Sequence, residues 1–426
     1  MPSGIFPWSL QKSPKERTMK KQLIASLVSL ICAAGAHANA DLTSQDTNKA
    51  NHENFRGASH IVANQENWYR ELRLEDWNKM GVTTADVDAV LEHINGGLTL
   101  RDQSNDNKAG YWTYEFSKQA QHHFDLANKG TDAATNYRKA STLWMIASYP
   151  NLHTDHELAA LDKSVDAYVL AATASGEKVE RVEFPLADGG SATGLLHLPK
   201  DKSDNLAAVL WTGGVDKSLV EHKKSIDQVV ERGFAVLSFD MPGAGLNRNN
   251  VMSVGTETLT HDGALAFIKA DKRINSDRIG ALSSSGAGIP LMEFAIKQPE
   301  LKAVVARCTV VDGLLTKPFL FPELPLMTSQ SFGTRVGADI NDLESFGQFT
   351  VPLSLKTKGY FDGKTRMDTP LLVINTSDDM VSSPEDMKKT AALSSQGKVE
   401  FYGDEGHCPE GKAAEEAITQ FLTSNI

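Results

Sequence analysis

The chain has 426 residues, 41% of them hydrophobic, and a formal net charge of −11. That length suggests two or three domains, and that apolar content supplies a full core. An acidic balance excludes the basic footprint of a nucleic-acid-binding protein, so the expected partner is a small molecule.

In chain order, residues 19–40 come first, MKKQLIASLVSLICAAGAHANA. Lys20 and Lys21 form a basic start, residues 23–36 are apolar, and Ala38-Asn39-Ala40 is a small-x-small ending. This is the pattern of a cleaved signal peptide. The apolar stretch is too short to span a bilayer. Ile31 precedes Cys32, where a lipid-anchored protein would carry a small residue. The expectation is export, cleavage after Ala40, a periplasmic or secreted protein, and no membrane insertion afterwards. Residues 1–18 read as an upstream start or an extended basic region, leaving Met1 or Met19 as the start. Cys308 and Cys408 then remain. The sequence leaves their pairing open, and neither stands in a zinc spacing.

From about residue 60 to 175 the periodicity is helical. Thr84 is the expected N-cap of ADVDAVLEHI, and Gly96-Gly97 its end. YWTYEFSKQAQHHFDLANKG, TDAATNYRKASTLWMIASYP and DHELAALDKSVDAYVLAATASG follow as an antiparallel helical unit. Trp112, Tyr114, Phe116 and Trp144 are expected in its core. The cluster at His153, Asp155 and His156 is read as a loop with Asp155 as a cap, not as a metal site. His122 and His123 are adjacent on a helix and point in different directions. Residues 41–175 therefore read as a helical N-terminal domain.

After Gly176 the pattern changes. Alternation around Gly189-Gly190 predicts a hairpin. LAAVLWT, FAVLSFD, RIGALSS, LKAVVARCTVV, PLLVINT and KVEFYG are strand candidates, with amphipathic helices between them. Apolar strands alternating with helices predict an α/β domain over 176–426, a mostly parallel sheet covered on both faces. Residues 314–369 break the rhythm. They are rich in Pro, Phe, Met and Gly, and read as a lid-like insertion. Phe319, Phe321, Met327, Phe332, Phe346 and Phe349 give it more apolar surface than a solvated loop tolerates.

Ligands of an open parallel sheet bind at the carboxyl ends of its strands. Three of those ends carry useful groups. In ALSSSGAGIP, Ser285 has a small residue two before it (Ser283), one two after it (Ala287), and Gly286 and Gly288 in the turn. These are the requirements of a strained strand-turn-helix nucleophile elbow. Ser284 has bulky Leu282 two before it, so Ser285 is the candidate nucleophile. Ser283 and Ser284 are expected to pack and hydrogen-bond. In PLLVINTSDDMV, Asp379 is the candidate acid, with Asp378 the alternative. In FYGDEGHCPEG, His407 alone of the 12 histidines sits at a late strand end flanked by glycine. The order Ser285, Asp379, His407 is that of α/β-hydrolases. WTGGVD ends an early strand in Gly213-Gly214, where an oxyanion loop belongs. Backbone N–H groups near Val215 and at Gly286 would bind the oxyanion. Asp240-Met241-Pro242-Gly243 supplies the turn expected after the next strand, and explains Gly243-Ala244-Gly245 without a dinucleotide fingerprint.

With these motifs placed, residues of about 60 to 425 resemble the FrsA-like branch of α/β-hydrolases. The likeness is carried by Trp112, Tyr114, Glu115 and Phe116, by ASYPNL, the Gly-Gly loop, the DMP turn, and His407-Cys408. The resemblance implies a carboxylesterase, or a hydrolase of carbon–carbon bonds next to a ketone; no cofactor is expected. It also implies nucleophile, acid and base roles for Ser285, Asp379 and His407. Two features depart from the family: Ser283 and Ala287 where glycines are usual, and the signal-like N-terminus. The leading expectation is an exported serine hydrolase of small or medium esters. The alternatives are cleavage of a β-diketone or aryl ketone, and a non-catalytic binding protein on the same scaffold.

Overall fold

The computed structural model describes residues 72–94, 107–149, 152 and 154–426 apart from 405 and 410. The signal-like segment, Gly96-Gly97 and His153 lie outside these residues. Eight strands form one sheet: β1 Lys178–Pro185, β2 Ser191–Leu198, β3 Leu206–Thr212, β4 Ala235–Phe239, β5 Ile274–Ser284, β6 Ala303–Arg307, β7 Leu371–Asn375 and β8 Gly397–Phe401. Their order is β1-β2-β4-β3-β5-β6-β7-β8. β1 and β2 form the expected hairpin, with Pro185 opposite Ser191. Its turn closes by Leu186 N–H donating to Gly190 O at 2.9 Å, and Gly189 takes φ +89°. β2 is antiparallel to β4, and every later pairing is parallel.

The central strands read as unbroken apolar runs because both faces are buried. Ala208 and Leu210 of β3 face one core, with helices α7 Leu259–Ala270, α8 Gly288–Lys297 and α11 Pro384–Ala391. Ala207, Val209 and Trp211 face the other, with α6 Lys223–Val230 and α12 Lys412–Asn425. This is the period of two that puts successive side chains on opposite faces. From β3 the chain crosses first to β4 on one side and then back to β5 on the other. Strand order reverses there, so the ends of β3 and β5 open the crevice in which such sheets bind ligands.

Among the described residues, five helices precede the sheet: α1 Leu74–Lys79, α2 Thr84–Leu91, α3 Trp112–Asn128, α4 Ala133–Ala147 and α5 Asp155–Ala174. Trp112, Phe116 and Trp144 are buried in their core as expected, while Tyr114 is half-buried. That core also takes in Leu195 of β2, Leu219, Val220 and Met327. Two caps differ from expectation. Thr83, not Thr84, caps α2, and Thr154, not Asp155, caps α5. Each threonine forms a reciprocal box with the acid three residues on, Asp86 and Glu157. The box satisfies two orphan donors where a lone cap satisfies one.

The insertion contains α9 Leu326–Val336 and α10 Leu343–Thr350, flanked by 3₁₀ turns at Pro318–Glu323 and Val351–Leu353. Phe321, Phe332 and Phe346 form a ring triangle with centroids 4.6 to 6.1 Å apart. It packs on Val215, Met241, Ala287, Ile289 and Val310, all at or just beyond strand ends. Phe319 and Phe349 do not join; they are 65% and 43% exposed. The strand expected over 301–311 is shorter, Ala303–Arg307. Cys308 turns the chain with φ +46° and takes it out of the ladder.

Candidate active site

The tight turn after β5 holds Ser285 at φ +53°, a left-handed conformation that costs a non-glycine residue energy. The surroundings are shaped for it. Ser285 O accepts Val310 N–H at 3.0 Å. A Cβ on Gly288 would lie 2.2 Å from Thr309, and one on Gly214 2.8 Å from Ser285 Cβ. The Gly-Gly loop therefore runs directly against the elbow. A Cβ on Gly286 would meet Val215 at 2.4 Å, so Val215 and Gly286 are neighbours across the crevice. Ser283 and Ala287, which replace the usual glycines, are both fully buried.

Beneath the elbow, His261 Nε2 lies 3.1 Å from Thr212 Oγ1 and 3.5 Å from Ser283 Oγ. Thr212 and Ser283 are cross-strand partners of β3 and β5. Burial pushes His261 down to about 3, so it spans the two strand ends as a neutral group. Ser284 ends β5 and pairs with Arg307 of β6.

His407 brings the other two groups together. Its Nε2 is 2.7 Å from Ser285 Oγ and its Nδ1 is 2.9 Å from Asp379 Oδ2. Asp379 is buried and also accepts from Asn375 Nδ2 at 3.0 Å and Val381 N–H at 2.8 Å. Burial alone would raise its pKa, but the hydrogen bond and charge of His407, with the Val381 and Asn375 bonds, hold it below the ordinary carboxylate value. An ionised carboxylate only accepts, so His407 donates from Nδ1, and in the neutral imidazole Nε2 is the acceptor for the serine hydroxyl. Asp378, the alternative acid, is exposed and outside this chain of bonds.

The loop bearing His407 is tied down on three sides. Thr376 Oγ1 donates to Gly406 O at 2.7 Å, and Arg307 Nη2 donates to Pro409 O at 2.6 Å. Cys308 and Cys408 form a disulfide with Cα atoms 4.9 Å apart. Among the described residues, Cys308, Cys408 and His407 offer a cluster of soft ligand atoms. With both sulfurs in a disulfide, no thiolate is left to bind metal.

Asn375 and Arg307 are supporting residues that the sequence does not single out. Asn375 and Thr376 end an apolar run, and Arg307 reads as the polar end of another. Asp240, which opens the DMP turn, accepts Leu219 N–H at 2.8 Å and Leu246 N–H at 3.0 Å, and so joins the turn to the chain beyond the Gly-Gly loop. No described helix is long and apolar enough to cross a membrane.

Comparison with known proteins agrees with this architecture. Residues 34–403 match the family model described as esterase FrsA-like. Esterase FrsA of Vibrio cholerae serotype O1 is 28% identical over 343 residues, covering 78% of this chain and 82% of that one. Esterase FrsA of Yersinia pestis is likewise 28% identical, over 348 residues, with the same coverage. Among solved structures, 2,6-dihydroxy-pseudo-oxynicotine hydrolase superposes with a TM-score of 0.64 at 17% identity, covering 82% of this chain and 95% of that one. Wild-type AbyA5 gives 0.60 at 19% identity, covering 78% and 88%. At such identity these two likenesses concern the fold, which is that of the α/β-hydrolases. With a family model matched across most of its length, the chain belongs to the FrsA-like esterase family and is a hydrolase of the α/β-hydrolase superfamily.

Proposed function

We propose that the protein is an exported serine esterase acting on carboxylic esters of small or medium acyl group. The observation that carries this is the hydrogen-bonded chain Asp379–His407–Ser285 beside the Gly-Gly loop. Ser285 Oγ attacks the acyl carbon while His407 Nε2 takes the hydroxyl proton. His407 then gives that proton to the departing alcohol oxygen, leaving an acyl-serine. Water, deprotonated by His407, attacks the acyl-serine; the acyl–Oγ bond breaks, His407 returns the proton to Ser285 Oγ, and the acid is released. Asp379 holds the imidazole in the right tautomer and stabilises its cationic form. The charge that develops on the carbonyl oxygen falls to the N–H groups of Val215 and Gly286.

The apolar packing of the insertion against Val215 and Ala287 favours an acyl site of limited size over one for triglycerides or proteins. Export follows from residues 19–40, and a disulfide between Cys308 and Cys408 is in keeping with an oxidising compartment. A panel of p-nitrophenyl esters from acetate to palmitate, run beside aryl β-diketones, tests the substrate class. The proposal expects kcat/KM to peak at short or medium acyl chains, with diketones inert. Diketone cleavage with inert esters would assign the site to carbon–carbon hydrolysis instead.

A further inference from the structure

We propose that Arg335 is a positioning residue for the oxyanion loop, acting through the Val215–Asp216 peptide. The inference rests on the serine hydrolase reading and names what holds that loop still. The loop has a built-in difficulty. Gly213 and Gly214 are required sterically, because a Cβ on Gly213 would lie 2.4 Å from His222 Nε2 and one on Gly214 2.8 Å from Ser285 Cβ. Two successive glycines also leave the following N–H, that of Val215, attached to the most permissive backbone available. An oxyanion donor contributes only if it is already oriented when charge develops.

Arg335 removes this freedom from the other side. It lies near the end of α9 in the insertion and is 1% exposed. Its Nε and Nη2 both donate to Val215 O, at 3.0 and 2.7 Å. A guanidinium fork on one carbonyl fixes the peptide in direction as well as position. The arginine is itself anchored. Its carbonyl accepts Met252 N–H at 2.9 Å, and a Cβ on Gly243 of the DMP turn would lie 2.4 Å from that same oxygen. The next side chain is held too: Asp216 Oδ2 accepts Thr328 Oγ1 of α9 at 3.1 Å and pairs with Arg73 at 3.2 Å. Burial pulls Arg335 down to about 10, against the opposing charges of Asp240, Asp216 and Glu157, so it is cationic at neutral pH. Burying a cation is expensive where an apolar side chain would fill the same space. What the cation adds here is a clamp on one peptide group.

The test uses the full-length chain with Arg335→Met, which fills the space without donors, and Arg335→Lys, which keeps the charge without the fork. Rates are expressed per active site titrated with a fluorophosphonate, so loss of folded protein does not count as loss of catalysis. The expected result is a fall in kcat of roughly 100-fold for Arg335→Met, the scale of losing one oxyanion donor. KM should stay within about threefold, and Arg335→Lys should be intermediate. Unchanged kcat per titrated site would overturn the inference, leaving Arg335 a structural residue even if melting temperatures drop. Should Arg335→Met fail to fold, Arg335→Lys decides by the same criterion. A wild-type chain that takes no label would overturn the serine reading and this inference together. A labelled wild type with unimpaired Arg335 variants would overturn this inference alone.

Discussion

His407 Nε2 and Ser285 Oγ lie 2.7 Å apart across 122 residues of chain, Ser285 in the turn after β5 and His407 in the loop after β8. Ser284 and Ser285 are adjacent in sequence, but only Ser285 has left the sheet and sits in the left-handed turn. On the proposed mechanism, Ser285→Ala should therefore remove turnover of a p-nitrophenyl ester, by about a million-fold in kcat, the scale of losing a serine hydrolase nucleophile. Ser284→Ala should retain it. An active Ser285→Ala beside a dead Ser284→Ala would shift the nucleophile by one residue.

The two neighbouring aspartates are separated just as sharply. Asp379 is buried and accepts from His407, whereas Asp378 is exposed. Asp379→Asn should lower kcat by about four orders of magnitude, because the amide favours the wrong imidazole tautomer. Asp378→Asn should leave kcat within a few-fold of wild type. The reverse pattern would assign the acid to Asp378.

Stability should fall steeply on acidification because of three histidines, His197 and His261 buried and His222 half-buried. Burial pushes His197, His222 and His261 down to about 3 each. Below the ordinary value of 6.5 the unfolded chain takes up protons at these sites and the native one does not. The stabilisation is thus complete above pH 6.5 and is lost as pH falls toward 3. Each residue contributes a slope of about 1.4 kcal/mol per pH unit in that window. Urea midpoints from pH 7.5 to 4.5 should decline, and His197→Gln should decline less steeply. Equal slopes for the two proteins would show that His197 protonates in the native state.

The disulfide spans 100 residues of sequence and ends beside His407. Its removal by Cys308→Ser with Cys408→Ser should cost roughly 2–5 kcal/mol in unfolding free energy. Because Cys408 adjoins His407, kcat should fall along with it. Thermal unfolding with and without a dithiol reductant checks the first part. A wild type indifferent to reductant in both melting temperature and kcat would contradict the tether.

Much of this arrangement is legible in the sequence. Strands β3, β4, β6 and β7 and the second half of β5 are buried on both faces, so they stand out as short apolar runs, and the residues just past them are few enough to inspect. Ser285, Asp379 and His407 come to attention that way, and the structure brings all three together. The caps, Thr83 and Thr154, lie one residue before the expected Thr84 and Asp155, although the Thr-x-x-acid spacing is present at both. The supporting residues were not legible. Arg335 reads as one arginine on an amphipathic helix, and only tertiary packing buries it against Val215. Asn375 sits in a run that signals a strand and nothing more. The Cys308–Cys408 pairing depends on how β6 ends, and the expected strand ran past that point.

The most direct measurement is the site of covalent labelling by a fluorophosphonate, read by intact mass and peptide mapping. The account predicts a single adduct, on Ser285, that forms in step with loss of esterase activity and slows sharply in His407→Ala. An unlabelled active enzyme, or an adduct on another residue that accounts for the loss of activity, would contradict it.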